Sequence, residues 1–214
     1  MKPREARAAL RLYDRELSGN AYKVRLLLSF LALPYERVPV AMQDGRNLVD
    51  DAYLGLNPRG QIPTLQDGEA TLWGSTAILV YLALRYDGSR SWLPADPLVS
   101  GQVMQWLELA QNEIASGLFR ARVIVKFGLA GDLQAAQETA RRALAVLESR
   151  LSAQQWLAGS GPTIADIACF PYAALAGEGG VDVAPYPGVM RWIADFRALD
   201  RFIGMPGIGA GLSA

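Results

Sequence analysis

The sequence of 214 residues contains no histidine. Without an imidazole, the chain can form neither a Ser-His-Asp nor a Cys-His catalytic group, nor a zinc site that needs histidine. It has one cysteine, Cys169, so no intrachain disulfide can form. Such a chain is typical of a reducing compartment, and no ligand-spaced cluster of carboxylates is evident. We therefore expect a cytoplasmic location and no bound metal.

Neither sign of charge is in excess, since Lys and Arg number 21 together and Asp and Glu also number 21. A chain without a basic surplus has little to attract nucleic acid or an anionic lipid surface, so we expect neither partner. No apolar run of signal-peptide type follows the short basic start. The longest apolar stretches are interrupted by Arg, Asp or Gly, so we expect no membrane span.

The first part of the chain mixes strand and helix patterns. Residues 10–13 alternate apolar and polar side chains and predict a strand. Apolar residues recur on one helical face over 21–33, and 35–40 predicts a second strand parallel to the first. A short helix within 41–56, a hairpin over 64–73 and a helix over 75–86 follow.

The later part of the chain has only helical periodicity. It predicts helices over 98–127, 133–151, 163–176 and 187–199. Thr163 and Asp166 have the spacing of a capping box. Two prolines lie within 89–97, so we predict domains at residues 1–86 and 98–214 joined by a linker at 87–97.

Several short segments occur in a characteristic order. They are Leu12-Tyr13 and residues 18–24 (SGNAYKV), 57–65 (NPRGQIPTL), 72–78 (LWGSTAI), 105–107 (QWL) and 163–167 (TIADI). With these segments the chain resembles the glutathione transferases over nearly its whole length. The resemblance implies a thioredoxin-like N-terminal domain of order β-α-β-α-β-β-α, followed by an all-helical domain.

Ser18 precedes the first predicted helix, and its simplest role is to cap that helix. In the serine-type transferases that the chain resembles, the matching hydroxyl donates a hydrogen bond to the sulfur of glutathione. A free thiol has a pKa near about 8.5, whereas a hydrogen bond to a charged group contributes roughly 1.5–3 kcal/mol. Such a bond favours the thiolate, so Ser18 is the predicted activating residue. Asn20 is the alternative donor.

Two further segments match the family's glutathione-binding regions. Around Gln61, the resemblance implies a cis peptide bond between Ile62 and Pro63, which turns the Ile62 backbone toward a peptide ligand. The alternative for Pro63 is an ordinary loop proline with a trans peptide bond. Ser75 and Thr76 open a helix, where they either cap it or hold a ligand carboxylate on its free N–H groups.

Two positions depart from the family pattern. Gly74 stands where the family normally has an acidic residue that pairs with the ligand's ammonium group. Loss of that charge-assisted bond is expected to weaken glutathione binding about ten- to hundredfold. Glycine also allows a bulkier ligand to approach the backbone. The basic residues that hold the glycine carboxylate have no clean match, and Arg46 or Arg59 is the candidate substitute.

The helical domain also supplies candidate pocket residues. Phe119, Arg122 and Val123 either belong to the helical core or line a pocket for an acceptor substrate, together with Tyr13 of the first strand. Cys169 lies in an apolar helix and is predicted to be an inert core residue.

The resemblance implies an enzyme that adds the thiol of glutathione, its co-substrate, to an apolar electrophile, and that forms a homodimer. Two alternatives stay open. One is a binding or scaffold protein that has the fold without catalysis, which Gly74 favours. The other is an isomerase or lyase that uses glutathione as a true cofactor.

Overall fold

The computed structural model describes residues 10–43, 46–47 and 50–209. The N-terminal domain has a four-stranded mixed sheet of the strands β1 (Leu10–Asp14), β2 (Tyr35–Pro39), β5 (Thr64–Asp67) and β6 (Ala70–Trp73). Their order across the sheet is β2-β1-β5-β6. β1 pairs parallel with β2 and antiparallel with β5, and β5 pairs antiparallel with β6. The predicted parallel pair and hairpin are therefore confirmed.

Within the described residues, three helices complete this domain: α1 (Gly19–Phe30), α2 (Asp51–Leu56) and α3 (Ser75–Tyr86). The strands β3 (Met42–Gln43) and β4 (Arg46–Asn47) form a separate two-stranded sheet before α2. The predicted thioredoxin-like order is confirmed, with this small sheet as an addition. Leu12 and Leu65 of the main sheet and Leu27 of α1 are fully buried in the core.

The connection between the two domains is held at both ends. The carboxylate of Asp87 accepts hydrogen bonds from the backbone N–H groups of Ser89 and Trp92. Trp92 stacks on Phe30 of α1 with 4.8 Å between ring centroids, and its carbonyl accepts the N–H of Ile164 at 2.8 Å. The segment predicted as a linker is thus anchored to both domains.

The C-terminal domain is helical, as predicted. Its helices are α4 (Pro97–Gln111), α5 (Arg120–Phe127), α6 (Leu133–Leu151), α7 (Ile164–Ala174) and α8 (Pro187–Arg197). A π-helical segment, Ala115–Phe119, precedes α5, and a 3-10 turn, Ala176–Gly179, follows α7.

The prediction of a single helix over 98–127 is wrong, because the helix ends at Gln111. Asn112 has φ −104° and ψ −88°, outside the helical region, and the π-helical segment follows. That segment brings Gly117 against α6, where a Cβ on Gly117 would lie 2.5 Å from the backbone nitrogen of Ala140. This close approach is a tertiary contact, which hydrophobic periodicity cannot reveal.

The capping box at the start of α7 is confirmed, and it is fully buried. Asp166 accepts hydrogen bonds from the backbone of Thr163 at 2.9 Å and of Leu157 at 3.1 Å, and from the indole N–H of Trp192 at 2.9 Å. Burial raises the pKa of Asp166 to about 6, although these hydrogen bonds lower it. Cys169 lies on the same helix and is buried, and burial raises the pKa of its thiol.

Candidate functional site

A cleft of about 750 Å³ opens between the two domains, and we call it the interdomain cleft. Its N-terminal side is formed by the segment before α1, the first turn of α1, α2, the loop before β5 and the junction of β6 with α3. Its other side is formed by the end of α4, the π-helical segment, α5 and α7. The lining residues are Arg15, Leu17, Ser18, Gly19, Asn20, Leu54, Asn57, Arg59, Gly60, Gln61, Ile62, Pro63, Trp73, Gly74, Ser75, Ala110, Gln111, Ala115, Phe119, Arg122, Val123, Phe127, Leu129 and Tyr172.

Ser18 caps α1 and also lines the cleft, so its two possible roles are compatible. Its hydroxyl oxygen accepts the backbone N–H of Ala21 at 3.2 Å. A hydroxyl has one donor hydrogen besides its acceptor lone pairs, so this capping bond leaves the hydrogen for an anion in the cleft. Asn20 lies two residues further on, in the first turn of α1, and lines the same cleft.

The loop before β5 is fixed by polar side chains beneath it. The carbonyl of Gln61 accepts hydrogen bonds from the hydroxyl of Tyr53 and from the amide of Asn57, both at 2.6 Å. The following peptide bond, Ile62–Pro63, is cis, which confirms the prediction. The loop places Gln61, Ile62 and Pro63 in the lining of the cleft.

Gly74 is the N-cap of α3 and has φ +86°, a region that glycine occupies far more readily than other residues. Since Gly74 has no side chain, it cannot cap the first N–H groups of α3, where an anion is stabilised. Ser75 is buried and lines the cleft beside it. Thr76 is not among the cleft residues. Its hydroxyl accepts a hydrogen bond at 2.5 Å from Gln111 of α4, which joins the two domains.

The helical wall of the cleft contains all three residues predicted there. Phe119, Arg122 and Val123 line it together with Phe127. Phe119 also packs on the ring of Tyr172 with centroids 5.2 Å apart, so it belongs to the core and the cleft at once.

Besides Thr76, two predicted site residues are not placed in the cleft. Tyr13 lies in a second, shallower pocket with Val38 and Tyr53, and its hydroxyl donates to Gln66 at 3.0 Å. The prediction that Tyr13 joins the same pocket as Phe119 is therefore not supported by this arrangement. Arg46 lies in β4, and its side chain is outside the described part of the chain.

Tyr172 and Arg15 also line the cleft, although no sequence motif identified them. Tyr172 is buried on α7, and its hydroxyl accepts the backbone N–H of Asn20. Burial raises the pKa of this hydroxyl. Tyr172 follows the capping box on an apolar helix, and nothing in that pattern distinguishes it from a core residue. Arg15 lies only three residues before Ser18, and that proximity was the available signal.

In the described ranges, no group of three or more His, Cys, Asp or Glu side chains is arranged to hold a metal ion. No helix there combines the length and the apolar character needed to cross a membrane. In the described residues, the site is a cleft in which hydroxyl, amide and arginine groups face an aromatic and aliphatic wall.

A thioredoxin-like domain packed on a helical domain, with a cleft at the cis-proline loop and the start of α3, defines a two-domain class of fold. The model of the glutathione S-transferase N-terminal domain matches residues 12–90. The model of the glutathione S-transferase C-terminal domain matches residues 130–203.

Comparisons with individual proteins point to the same family. Glutathione S-transferase GstB of Escherichia coli is 33% identical over 85% of this chain and 89% of its own length. A maleylacetoacetate isomerase of Pseudomonas aeruginosa is 31% identical over 88% of this chain and 91% of its own. The crystal structure of a glutathione S-transferase from Pseudomonas fluorescens is 35% identical, covers 92% of this chain and 99% of its own, and superposes with a TM-score of 0.86. The chain belongs to the glutathione S-transferase family.

Proposed function

We propose that this protein conjugates glutathione to an apolar electrophile in the interdomain cleft. One observation carries the proposal: Ser18, the Ile62 backbone and the first turn of α3 line the same cleft, opposite the aromatic wall of α5. A peptide thiol along the loop and an electrophile along the wall would meet beside Ser18. The sulfur forms a bond to the electrophilic carbon, the thiol proton goes to solvent, and a leaving group departs with its electron pair.

Ser18 would act as a hydrogen-bond donor to the thiolate. Its capping bond to Ala21 fixes the oxygen beside the helix N-terminus, whose partial positive charge contributes about 0.3–1 kcal/mol to a nearby anion. Together with a charge-assisted hydrogen bond of roughly 1.5–3 kcal/mol, this would lower the thiol pKa by about one to three pH units. The thiolate would then dominate near neutral pH.

Glutathione would lie with its backbone along Ile62 and its γ-glutamyl carboxylate at Ser75. Gln61 precedes Ile62 and lies beside the proposed position of the glutathione backbone. Arg59 has its guanidinium 5.7 Å from the ring centroid of Trp73, next to Gly74, and is the candidate cation for the other carboxylate. Thr76 would act indirectly, since its hydroxyl holds Gln111 across the cleft.

The test is a conjugation assay with several electrophiles that compares the native protein with Ser18→Ala. A fall in rate of ten- to a hundredfold is expected for loss of a charge-assisted hydrogen bond. Equal rates would show that Ser18 is not the activating group. Calorimetry with glutathione tests the scaffold alternative, because millimolar or absent binding would favour a protein that has the fold without the site.

An isomerase is the second candidate, because relatives of this chain bear the name maleylacetoacetate isomerase. An isomerase regenerates glutathione in each turnover, whereas conjugation consumes it. Mass spectrometry of the thiol pool after turnover of maleylacetoacetate separates the two: constant glutathione with isomerised product supports the isomerase.

We also expect a homodimer in the cytoplasm, built between the N-terminal domain of one subunit and the helical domain of the other. Leu84 on α3 and Leu98 and Met104 on α4 are large apolar residues that are exposed in the single chain. Light scattering at several concentrations tests the assembly, and a monomer at all of them would contradict it.

A further inference from the structure

The lining of the interdomain cleft carries charge of only one sign. Among the described residues that form it there are three arginines, Arg15, Arg59 and Arg122, and no Asp or Glu. Such a cleft attracts negatively charged ligands. Glutathione has two carboxylates, which do not explain the positions of all three arginines.

The three arginines lie at different sides of the cleft. Arg59 belongs to the loop before β5 and packs over Trp73. Arg122 belongs to α5, and its Nη1 donates to the carbonyl of Leu17 at 3.0 Å, immediately before Ser18. Arg15 precedes α1 on the same segment. Two guanidinium groups are therefore next to Ser18 and the helical wall, where the second substrate would lie.

Arg122 is a buried cation with unused hydrogen-bonding capacity. Its side chain is 2% exposed, and its Nε donates to Glu178 at 2.6 Å. Its guanidinium carbon lies 5.3 Å from the ring centroid of Phe127. Its Nη2 is buried and has no hydrogen-bond partner in the described part of the chain. A buried donor without an acceptor is destabilising, and an anionic ligand group would satisfy it.

The neighbouring carboxylates do not neutralise the positive charge of this region. Glu178 is shared between Arg122 and Lys126, so one carboxylate faces two cations. Burial raises the pKa of Glu178, but hydrogen bonds from Lys126 and Arg122 outweigh it and hold the pKa below its usual value.

Asp14, which adjoins Arg15 in the sequence, already accepts from Arg25 at 2.9 Å and from Arg37 at 2.5 Å. Burial and the nearby charge of Arg122 lower the pKa of Arg15, and they outweigh the charges of Tyr172 and Asp14, which raise it. The two guanidinium groups therefore repel each other, and an anion bound between them would relieve that repulsion.

We propose that Arg15 and Arg122 form a subsite for a carboxylate of the electrophilic substrate. The substrate would have an apolar body against Phe119 and Val123 and a carboxylate on the two guanidinium groups, with its reactive carbon beside Ser18. This proposal rests on the proposed conjugation function. The carboxylate itself is unchanged in the reaction and serves to position the electrophile.

A matched pair of electrophiles tests the proposal: 4-chloro-3,5-dinitrobenzoate and its methyl ester. In both, the thiolate sulfur forms a bond to the ring carbon and chloride leaves with the electron pair of the carbon–chlorine bond. Each kcat/KM is divided by the uncatalysed rate constant with glutathione, which removes the difference in intrinsic reactivity. We expect the native protein to prefer the acid by about tenfold or more, as one charge-assisted hydrogen bond would give.

Arg15→Gln and Arg122→Gln should each reduce the preference for the acid by about tenfold and change ester turnover less. Arg15→Lys keeps the charge but not the paired donors, so it should retain part of the preference. Arg142→Gln, which removes one positive charge from the exposed surface of α6, is the matched control and should leave the ratio unchanged.

The outcomes separate this inference from the proposed function. Equal loss of acid and ester turnover in both arginine variants would overturn the subsite, because it indicates that the arginines act on the sulfur. A native preference for the ester would also overturn it. If neither compound is conjugated, the proposed function fails. Calorimetry with the unreactive 3,5-dinitrobenzoate and its methyl ester still decides the subsite: tighter binding of the acid that is lost in Arg15→Gln supports it, and equal binding excludes it.

Discussion

The ring of Tyr172 lies directly against the backbone of Gly19, so that a Cβ on Gly19 would be 2.7 Å from Tyr172 Cε1. No other residue type fits there without displacing the ring. This contact joins the first turn of α1 to α7, and it sets the position of Ser18 relative to the helical domain.

Gly19→Ala is therefore expected to destabilise the protein by about 1–3 kcal/mol, the usual cost of overpacking a close contact. It should also reduce conjugation, because either Tyr172 or the start of α1 must move. Urea denaturation and the conjugation assay measure the two effects. The control is Gly101→Ala within α4, where a Cβ meets nothing within 4 Å. That change should stabilise the helix by about 0.5–1 kcal/mol and leave conjugation unchanged. Equal effects of the two substitutions would contradict the role of the Gly19 contact.

Ser18 has a structural role and a proposed chemical role, and two substitutions separate them. Ser18→Ala removes both the cap and the hydroxyl, and should cost about 1 kcal/mol of stability. Ser18→Gly also removes the hydroxyl but costs only a few tenths of a kcal/mol, roughly, since glycine is a good N-cap. Both variants should lose conjugation to a similar extent and need a higher pH for half-maximal kcat/KM, because bound glutathione would keep a more ordinary thiol pKa. If the loss of activity follows the loss of stability across the two variants and the pH profile is unchanged, Ser18 acts only as the N-cap of α1.

The sequence predicted the elements whose patterns are local. The helix over 75–86 and the helix over 133–151 were predicted with the observed ends, because Asp87-Gly88 ends the first and apolar periodicity runs through the second. Ser18, Asn20, Ile62 and Ser75 were identified by short motifs, and all four line the cleft.

Residues whose position depends on distant contacts were harder to predict. The break between α4 and α5 coincides with the contact of Gly117 with Ala140, which lies on another helix. Tyr172 reaches the cleft because it packs on Gly19, and no periodicity marks such a residue. Tyr13 is predicted in the acceptor pocket, but side chains alternate between the two faces of a strand, and in the structure its hydroxyl donates to Gln66 and its side chain lines a second pocket.

Asp166 makes a testable contribution to the pH dependence of stability. Its pKa of about 6 in the folded protein exceeds the value of about 3.9 in an unfolded chain. The folded state therefore binds the proton more tightly. The associated stabilisation is complete below about pH 4 and is lost as the pH rises through about 6, and it amounts to about 3 kcal/mol.

The measurement compares the native protein with Asp166→Asn, which does not titrate at this position, by urea denaturation between pH 4 and pH 7. The difference in unfolding free energy between the two proteins should decrease as the pH rises. At every pH the variant should be less stable by about 1–3 kcal/mol or more, because its amide nitrogen would face donors such as Thr163 N–H. A difference that stays constant or increases with pH would show that burial does not raise the pKa of Asp166.

Gly74 offers a direct test of how the missing carboxylate affects glutathione binding. A Cβ at this position meets nothing within 4 Å, so the first side-chain atom of Gly74→Glu clashes with no neighbour. Its φ of +86° is unfavourable for any residue with a Cβ, so the variant should lose about 1–3 kcal/mol of stability. Gly74→Ala carries the same backbone strain without a carboxylate and is the matched control. If a carboxylate here pairs with the ammonium group of glutathione, calorimetry should show the Glu variant binding about tenfold or more tighter than the Ala variant. Equal affinities would mean that the ammonium group is bound elsewhere, and that glycine at this position reflects the backbone geometry of the α3 N-terminus alone.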